Sequence, residues 1–174
     1  MPNASNQPLV EQLFSRLIGS GSEAELEAMR QLRDILGPRL PSALLSLYRR
    51  SKRFGPRLAA VFYGTRYARW HEDAYRLGLE AIYDKSRTVR FRAYELLAFA
   101  QKEEALPVLR AALSQLSGKD DVEDVHACMR ALEKKNHNCF RDRKHTGTQL
   151  YEFLEVAPDG SERYITAPPC GGEK

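Results

Sequence analysis

A chain of 174 residues, 43% hydrophobic and 29% charged, is long enough to bury a core without disulfides or metal. It has no run of about 18 apolar residues to span a bilayer, and its start, Met1–Phe14, has neither the basic n-region nor the apolar h-region of a secretory signal. The net charge of +4 is modest, but residues 39–110 hold 15 Lys/Arg against 7 Asp/Glu, a balance that attracts acidic protein surfaces or phosphates.

In chain order, the first helix is predicted over Pro8–Ile18, with Leu9, Leu13, Leu17 and Ile18 on one stripe. The Gly19–Ser22 run ends it. Ser22 and Glu25 then form a capping box, in which the hydroxyl accepts from the Glu25 amide and the carboxylate reaches back. The helix that follows runs to Leu36, facing the core with Leu26, Met29, Leu32, Ile35 and Leu36, and Gly37-Pro38 stops it. Further helices are predicted over Pro41–Lys52, Arg57–Tyr63, Tyr67–Tyr83, Arg87–Ala100, Glu103–Leu116 and Asp121–Lys135, the last capped by Asp120. After Lys135 the chain turns polar, basic and aperiodic. Leu150–Val156 and Glu162–Thr166 read as strands joined at Asp159-Gly160. A lone hairpin is marginal in water, so Leu150, Tyr151, Phe153, Leu154 and Ile165 predict packing on the helices or on a second chain. The last eight residues, Ala167–Lys174, read as a frayed tail.

Short helices with short breaks predict antiparallel neighbours. The stripe Val89, Ala93, Leu96 returns as Val125, Met129, Leu132, and Ala74, Gly78, Ile82 returns as Ala105, Leu109, Leu113. With an "EALPVLRAAL" helix, an Asp-containing turn and a "VR-x-x-A" helix, residues 38–136 resemble HEAT-like helical repeats. His126 stands where that pattern favours Arg, and residues 1–37 match poorly and are read as a cap. The resemblance implies an all-α fold of short antiparallel helix pairs in a curved stack, to which residues 137–174 append a basic linker, the β-hairpin and a flexible tail. It also implies a non-catalytic binding protein. Small bacterial chains of this kind include adaptors and immunity proteins that occlude a cognate toxin.

Two clusters are candidate partner contacts. Arg49, Arg50, Lys52, Arg53 and Arg57 exceed the one or two cations that a helix C-terminus favours. On the Arg87–Ala100 helix, Val89, Ala93, Leu96 and Ala100 form the core stripe, while Arg87, Phe91 and Tyr94 fall on the far side and Arg90 flanks it. Together they predict a basic, aromatic face for an acidic protein partner. The structural alternative is that Phe91 packs under the hairpin and Arg90 bridges Asp84 or Asp121. The other functional reading is nucleic-acid binding by the basic middle section. Tyr63, Tyr67, Trp70 and Tyr75 with Arg66, Arg69 and His71 could stack bases. Tyr67, Trp70, Ala74, Leu77, Gly78 and Ala81 share one stripe, however, and are read as core.

No catalytic set, cofactor or metal site is expected. Phosphate-loop, dinucleotide, nucleophile-elbow and H-E-x-x-H patterns are absent from the sequence. His126, Cys128, His137, Cys139 and His145 lack paired zinc spacing. Three cysteines without C-x-x-C argue against a disulfide framework and for a reducing cytosol.

Overall fold

The computed structural model describes residues 6–141 and 152–170. Those residues are mostly helical, with one small antiparallel sheet. The helices are α1 (Gln7–Ser15), α2 (Glu23–Leu36), α3 (Leu40–Arg50), α4 (Phe54–Gly64), α5 (Glu72–Ala81), α6 (Arg87–Ala100), α7 (Leu106–Leu113), α8 (Lys119–Glu133) and the single turn α9 (Asn138–Arg141). The strands are β1 (Phe153–Val156) and β2 (Glu162–Ile165).

Local chemistry explains most of the boundaries. The Ser22 hydroxyl caps α2 by accepting from the Glu25 amide at 3.3 Å. The Glu25 carboxylate does not return to Ser22. It accepts from the Ser20 amide at 2.8 Å, the Ser20 hydroxyl and the Ile18 amide, so it fixes the preceding loop. The stretch predicted as one helix from Tyr67 is broken. A 3-10 turn at Thr65–Tyr67 leads into α5, whose first turn carries Glu72 and Asp73, as the positive end of a helix dipole prefers. A second 3-10 turn at Glu103–Ala105 precedes α7. Gly118, not Asp120, is the N-cap of α8, and Asp120 lies inside its first turn.

Packing follows the order of the chain. α1 packs on α2, α3 on α4 and α5, α4 on α5 and α6, α5 on α6, α6 on α8, and α7 on α8. One apolar cluster runs through them from Leu13 of α1 to Cys170. α6 meets α4, α5, α8 and the Thr65–Tyr67 turn, so every residue from Ala93 to Ala100 is buried. A helix enclosed on several sides has no free polar face, and its apolar run Leu96–Ala100 is the sequence trace of that position.

The hairpin docks on the helices. Phe153 pairs with Ile165 in the register, and its ring stacks on Phe99 at 4.0 Å between centroids. Glu155, fully buried, lies 3.5 Å from Arg69 and 2.5 Å from Arg163. The predicted strand residues Leu150 and Tyr151 lie outside the described residues.

Two expectations fail at the C-terminus. The Asn138 side-chain amide donates to the Ala167 and Pro168 carbonyls, and that of Asn136 also donates to Pro168, at 2.8 Å. Cys139 and Cys170 are joined by a disulfide, with Cα atoms 4.9 Å apart. The segment from Ala167 to Cys170 is therefore anchored, not frayed. The argument from cysteine usage against a disulfide, and so for a reducing compartment, falls with it.

Candidate docking face

The predicted cations divide into two groups. Arg57 is buried; its guanidinium donates to both carboxylate oxygens of Asp84, at 2.7 and 3.1 Å, and to the Lys52 carbonyl. Burial by itself would raise the pKa of Asp84, but Arg57, the Ser86 amide and Tyr48 together hold it below the usual carboxylate range. Arg90 repeats the arrangement one step along, donating to both oxygens of Asp121 at 2.7 and 2.9 Å and to the Asp84 carbonyl. The first rung joins α4 to the turn before α6, and the second joins α6 to the first turn of α8. Arg90 thus takes the structural role, bridging the Asp121 carboxylate and the backbone of Asp84.

Arg57 and Tyr94 therefore leave the predicted face. Tyr94 is fully enclosed, because α8 covers the side of α6 that the helical wheel leaves open. Arg87 reaches the buried Asp124 at 3.2 Å. Phe91 packs on Phe140 of α9, 5.6 Å between centroids. Arg49 forks onto Glu80 of α5, and Arg50 bonds Glu11 at 2.9 Å while lying over the Phe14 ring. Of the nine predicted contacts, Lys52 and Arg53 are exposed and meet no carboxylate among the described residues.

These two cations open onto a surface that the sequence reading missed. Phe54, Leu58 and Phe62 recur at intervals of four along α4 and so share one face. Phe54 is 46% exposed and Phe62 38%, with Leu58 half-buried between them. The interval of four is the signal that could have found them. Arg66 continues the line in the 3-10 turn, where it too pairs with no carboxylate among the described residues.

Close backbone contact fixes the start of this face. A Cβ on Gly55 would enter the Ile18 carbonyl, and one on Gly19, at φ +73°, would lie 2.9 Å from the Gly55 carbonyl. Glycine at both positions lets the loop before α2 lie directly on the first turn of α4.

Two shallow pockets border the stripe at Phe62, and a third lies beside Arg66. One of about 190 Å³ is bounded by Gly19, Ser20, Leu58, Phe62 and Arg92. Another, about 180 Å³, shares Phe62 and adds Arg66, Glu95, Arg141 and Phe153 of β1. The third, about 230 Å³, shares Arg66 and lies against α2. Arg92 lies over the Phe62 ring at 5.1 Å and bonds the buried Glu95 at 2.6 Å, while Arg141 pairs with the same carboxylate. The face thus has an apolar axis, a side where two guanidiniums share Glu95, and at both ends cations that meet no carboxylate among the described residues.

The other candidates do not assemble. Trp70, predicted as core, is 45% exposed beneath the Arg163 guanidinium, because the helix breaks before it. Tyr63, Tyr67 and Tyr75 are buried, so they offer no row of stacking platforms. No group of His, Cys, Asp or Glu among the described residues has the arrangement of a metal site. Cys139 is in the disulfide, and His145 lies outside the described residues. Cys128 is a core thiol whose pKa burial pushes up, the opposite of a reactive thiolate. No helix is long and apolar enough to cross a membrane among the described residues. Comparison of the chain with protein-family models, with curated proteins and with solved structures finds no match in any of the three.

Proposed function

We propose that this chain is a non-catalytic protein-binding module of HEAT-like design, whose α4 face docks an acidic, apolar segment of another protein. The observation that carries the proposal is the part-exposed Phe54–Leu58–Phe62 stripe, with Lys52, Arg53 and Arg66 at its ends meeting no carboxylate among the described residues. A row of aromatic side chains supplies contact area at small entropic cost, and isolated cations supply charge complementarity and capture rate. The HEAT-like reading draws support from the sequential packing of the helices and from the two Arg–Asp rungs, 27 and 31 residues in span. An inhibitor would work by occluding its target at this face, and an adaptor would hold its partner there.

The nucleic-acid alternative is disfavoured by where the middle section's charge goes. Arg49, Arg57, Arg87 and Arg90 are already held by Glu80, Asp84, Asp124 and Asp121. Phosphates would have to displace those carboxylates.

The test is a photo-crosslinking residue at position 62, used in cells that make the protein. It should capture a discrete protein through a segment rich in Asp or Glu. Capture should fall at least tenfold in Lys52→Glu/Arg53→Glu, while the same probe at Tyr83 captures nothing specific. Capture that ignores the charge reversal would overturn the proposal. So would low-salt DNA or RNA binding that falls steeply with salt concentration.

A further inference from the structure

The pocket of about 230 Å³ between α2 and the Thr65–Tyr67 turn differs from its neighbours in composition. Leu26 and Met29 give it an apolar wall, and Arg30, Arg33 and Arg66 line it together with Tyr67. Two of the three guanidiniums are engaged. Arg30 bonds Glu27 on its own helix, and Arg33 bonds Glu162 of β2. Arg66 meets no carboxylate among the described residues. The groups converge: Arg33, Arg66 and Glu162 all lie close enough to the buried Tyr67 phenol to influence its ionisation, on top of the upward push of burial.

We infer that this pocket is a carboxylate-binding subsite, taking one Asp or Glu side chain of the docked segment, with Arg66 as its anchoring cation. The inference rests on the docking reading above and names the chemistry at one end of that face. Glu162 is an internal precedent, since a carboxylate from a separate element already sits on Arg33 at the rim. A guanidinium offers a planar fork that matches a carboxylate with two parallel donors, and the apolar wall lowers the local dielectric around the pair. Glu162 is partly exposed at the rim, so it is also a competitor that an incoming carboxylate must face.

The experiment follows the Arg66 side-chain Nε–H signal by NMR in the full chain. The probes are acetyl-Leu-Glu-Leu-amide, its Gln counterpart and inorganic phosphate. The Glu peptide should shift the signal saturably, and the Gln peptide should bind at least tenfold more weakly. Glu162→Gln should tighten the Glu peptide several-fold by releasing Arg33, a gain that does not depend on a variant that loses binding. Arg66→Gln, monitored at the Arg33 signal, should lose the peptide. Equal binding of the Glu and Gln peptides, stronger binding of phosphate, or no shift with any probe would each overturn the subsite.

Failure here is separable from failure of the docking reading. If the peptide gives no shift while crosslinking at position 62 still captures an acidic segment, only the subsite falls. If the peptide binds Arg66 while capture ignores the charge reversal at Lys52 and Arg53, the docking face falls and a carboxylate site remains.

Discussion

Arg57 and Arg53 are four residues apart, in one cluster of the sequence, and their surroundings are opposite. Arg57 is enclosed and holds Asp84 through two parallel hydrogen bonds, while Arg53 is exposed and holds no carboxylate among the described residues. Arg90 and Arg66 repeat the contrast: the first forks onto Asp121, the second, at the end of the α4 stripe, meets no carboxylate among the described residues. Arg57 and Arg90 are spoken for because a carboxylate reaches them from an element 27 or 31 residues on, and none reaches Arg53 or Arg66 among the described residues. Local charge density carries no information about that.

The largest expected effect comes from breaking an inner rung. Arg57→Ala strands a buried carboxylate, so about 3–5 kcal/mol of stability should be lost in urea unfolding. Arg49→Ala, which removes a pair with a half-exposed arginine, should cost far less than that. Similar costs for both would erase the distinction between inner rungs and surface pairs. Acid adds an independent reading. Asp84 has a folded pKa below its unfolded one, so its stabilisation is complete above the ordinary carboxylate pKa of about 4. It is lost as pH falls through that value toward the lower folded pKa. Stability measured against pH should therefore fall less steeply below about pH 4 in Arg57→Ala than in the natural chain.

Next is the bond that anchors the hairpin, since β1 forms a wall beside Phe62. The bridge spans 31 residues, and the chain-entropy relation gives about 3–4 kcal/mol for such a loop. Cys139→Ser/Cys170→Ser should lose about that much and speed hydrogen exchange across Phe153–Val156. Thiol counting on the protein from its own cells should find Cys128 alone reactive after unfolding. Two further titratable thiols would remove the bond.

Gly55→Ala tests the seat of the exposed face. The added methyl group meets backbone, not a flexible side chain, so about 1–3 kcal/mol should be lost as the loop before α2 lifts away. An unchanged melting temperature would mean that the loop does not lie on α4.

Much of the helix order was legible, because it depends on near-neighbour chemistry. α6 runs over Arg87–Ala100 as its periodicity predicts, and the Ser22 hydroxyl caps α2. Tyr94 was misread because a single helical wheel shows one buried stripe, and α6 is covered from several directions. The Cys139–Cys170 pair was hidden because its alignment depends on Asn136 and Asn138 gripping the backbone near Pro168. The exposed α4 stripe is not legible for a different reason. The helix is expected to begin at Arg57, which leaves Phe54 outside it and removes the first point of the four-residue stripe.

The smallest effect on stability is expected where the binding effect is largest. Lys52→Glu/Arg53→Glu breaks no ion pair among the described residues and uncovers no core, so unfolding should shift by about 0.5 kcal/mol or less. The same substitutions place two negative charges at the open end of the apolar stripe, against the acidic segment proposed to dock there. Like charges across an interface slow capture and weaken the complex, so the association rate should fall most at low salt and recover part of the difference as salt is raised. Arg57→Ala should behave in the opposite way, with a large loss of stability and, once folded, a salt dependence of capture like that of the natural chain. If instead both variants changed stability and capture in parallel, the inner rungs and the outer cations would be one electrostatic unit, and the α4 face would have no separate role.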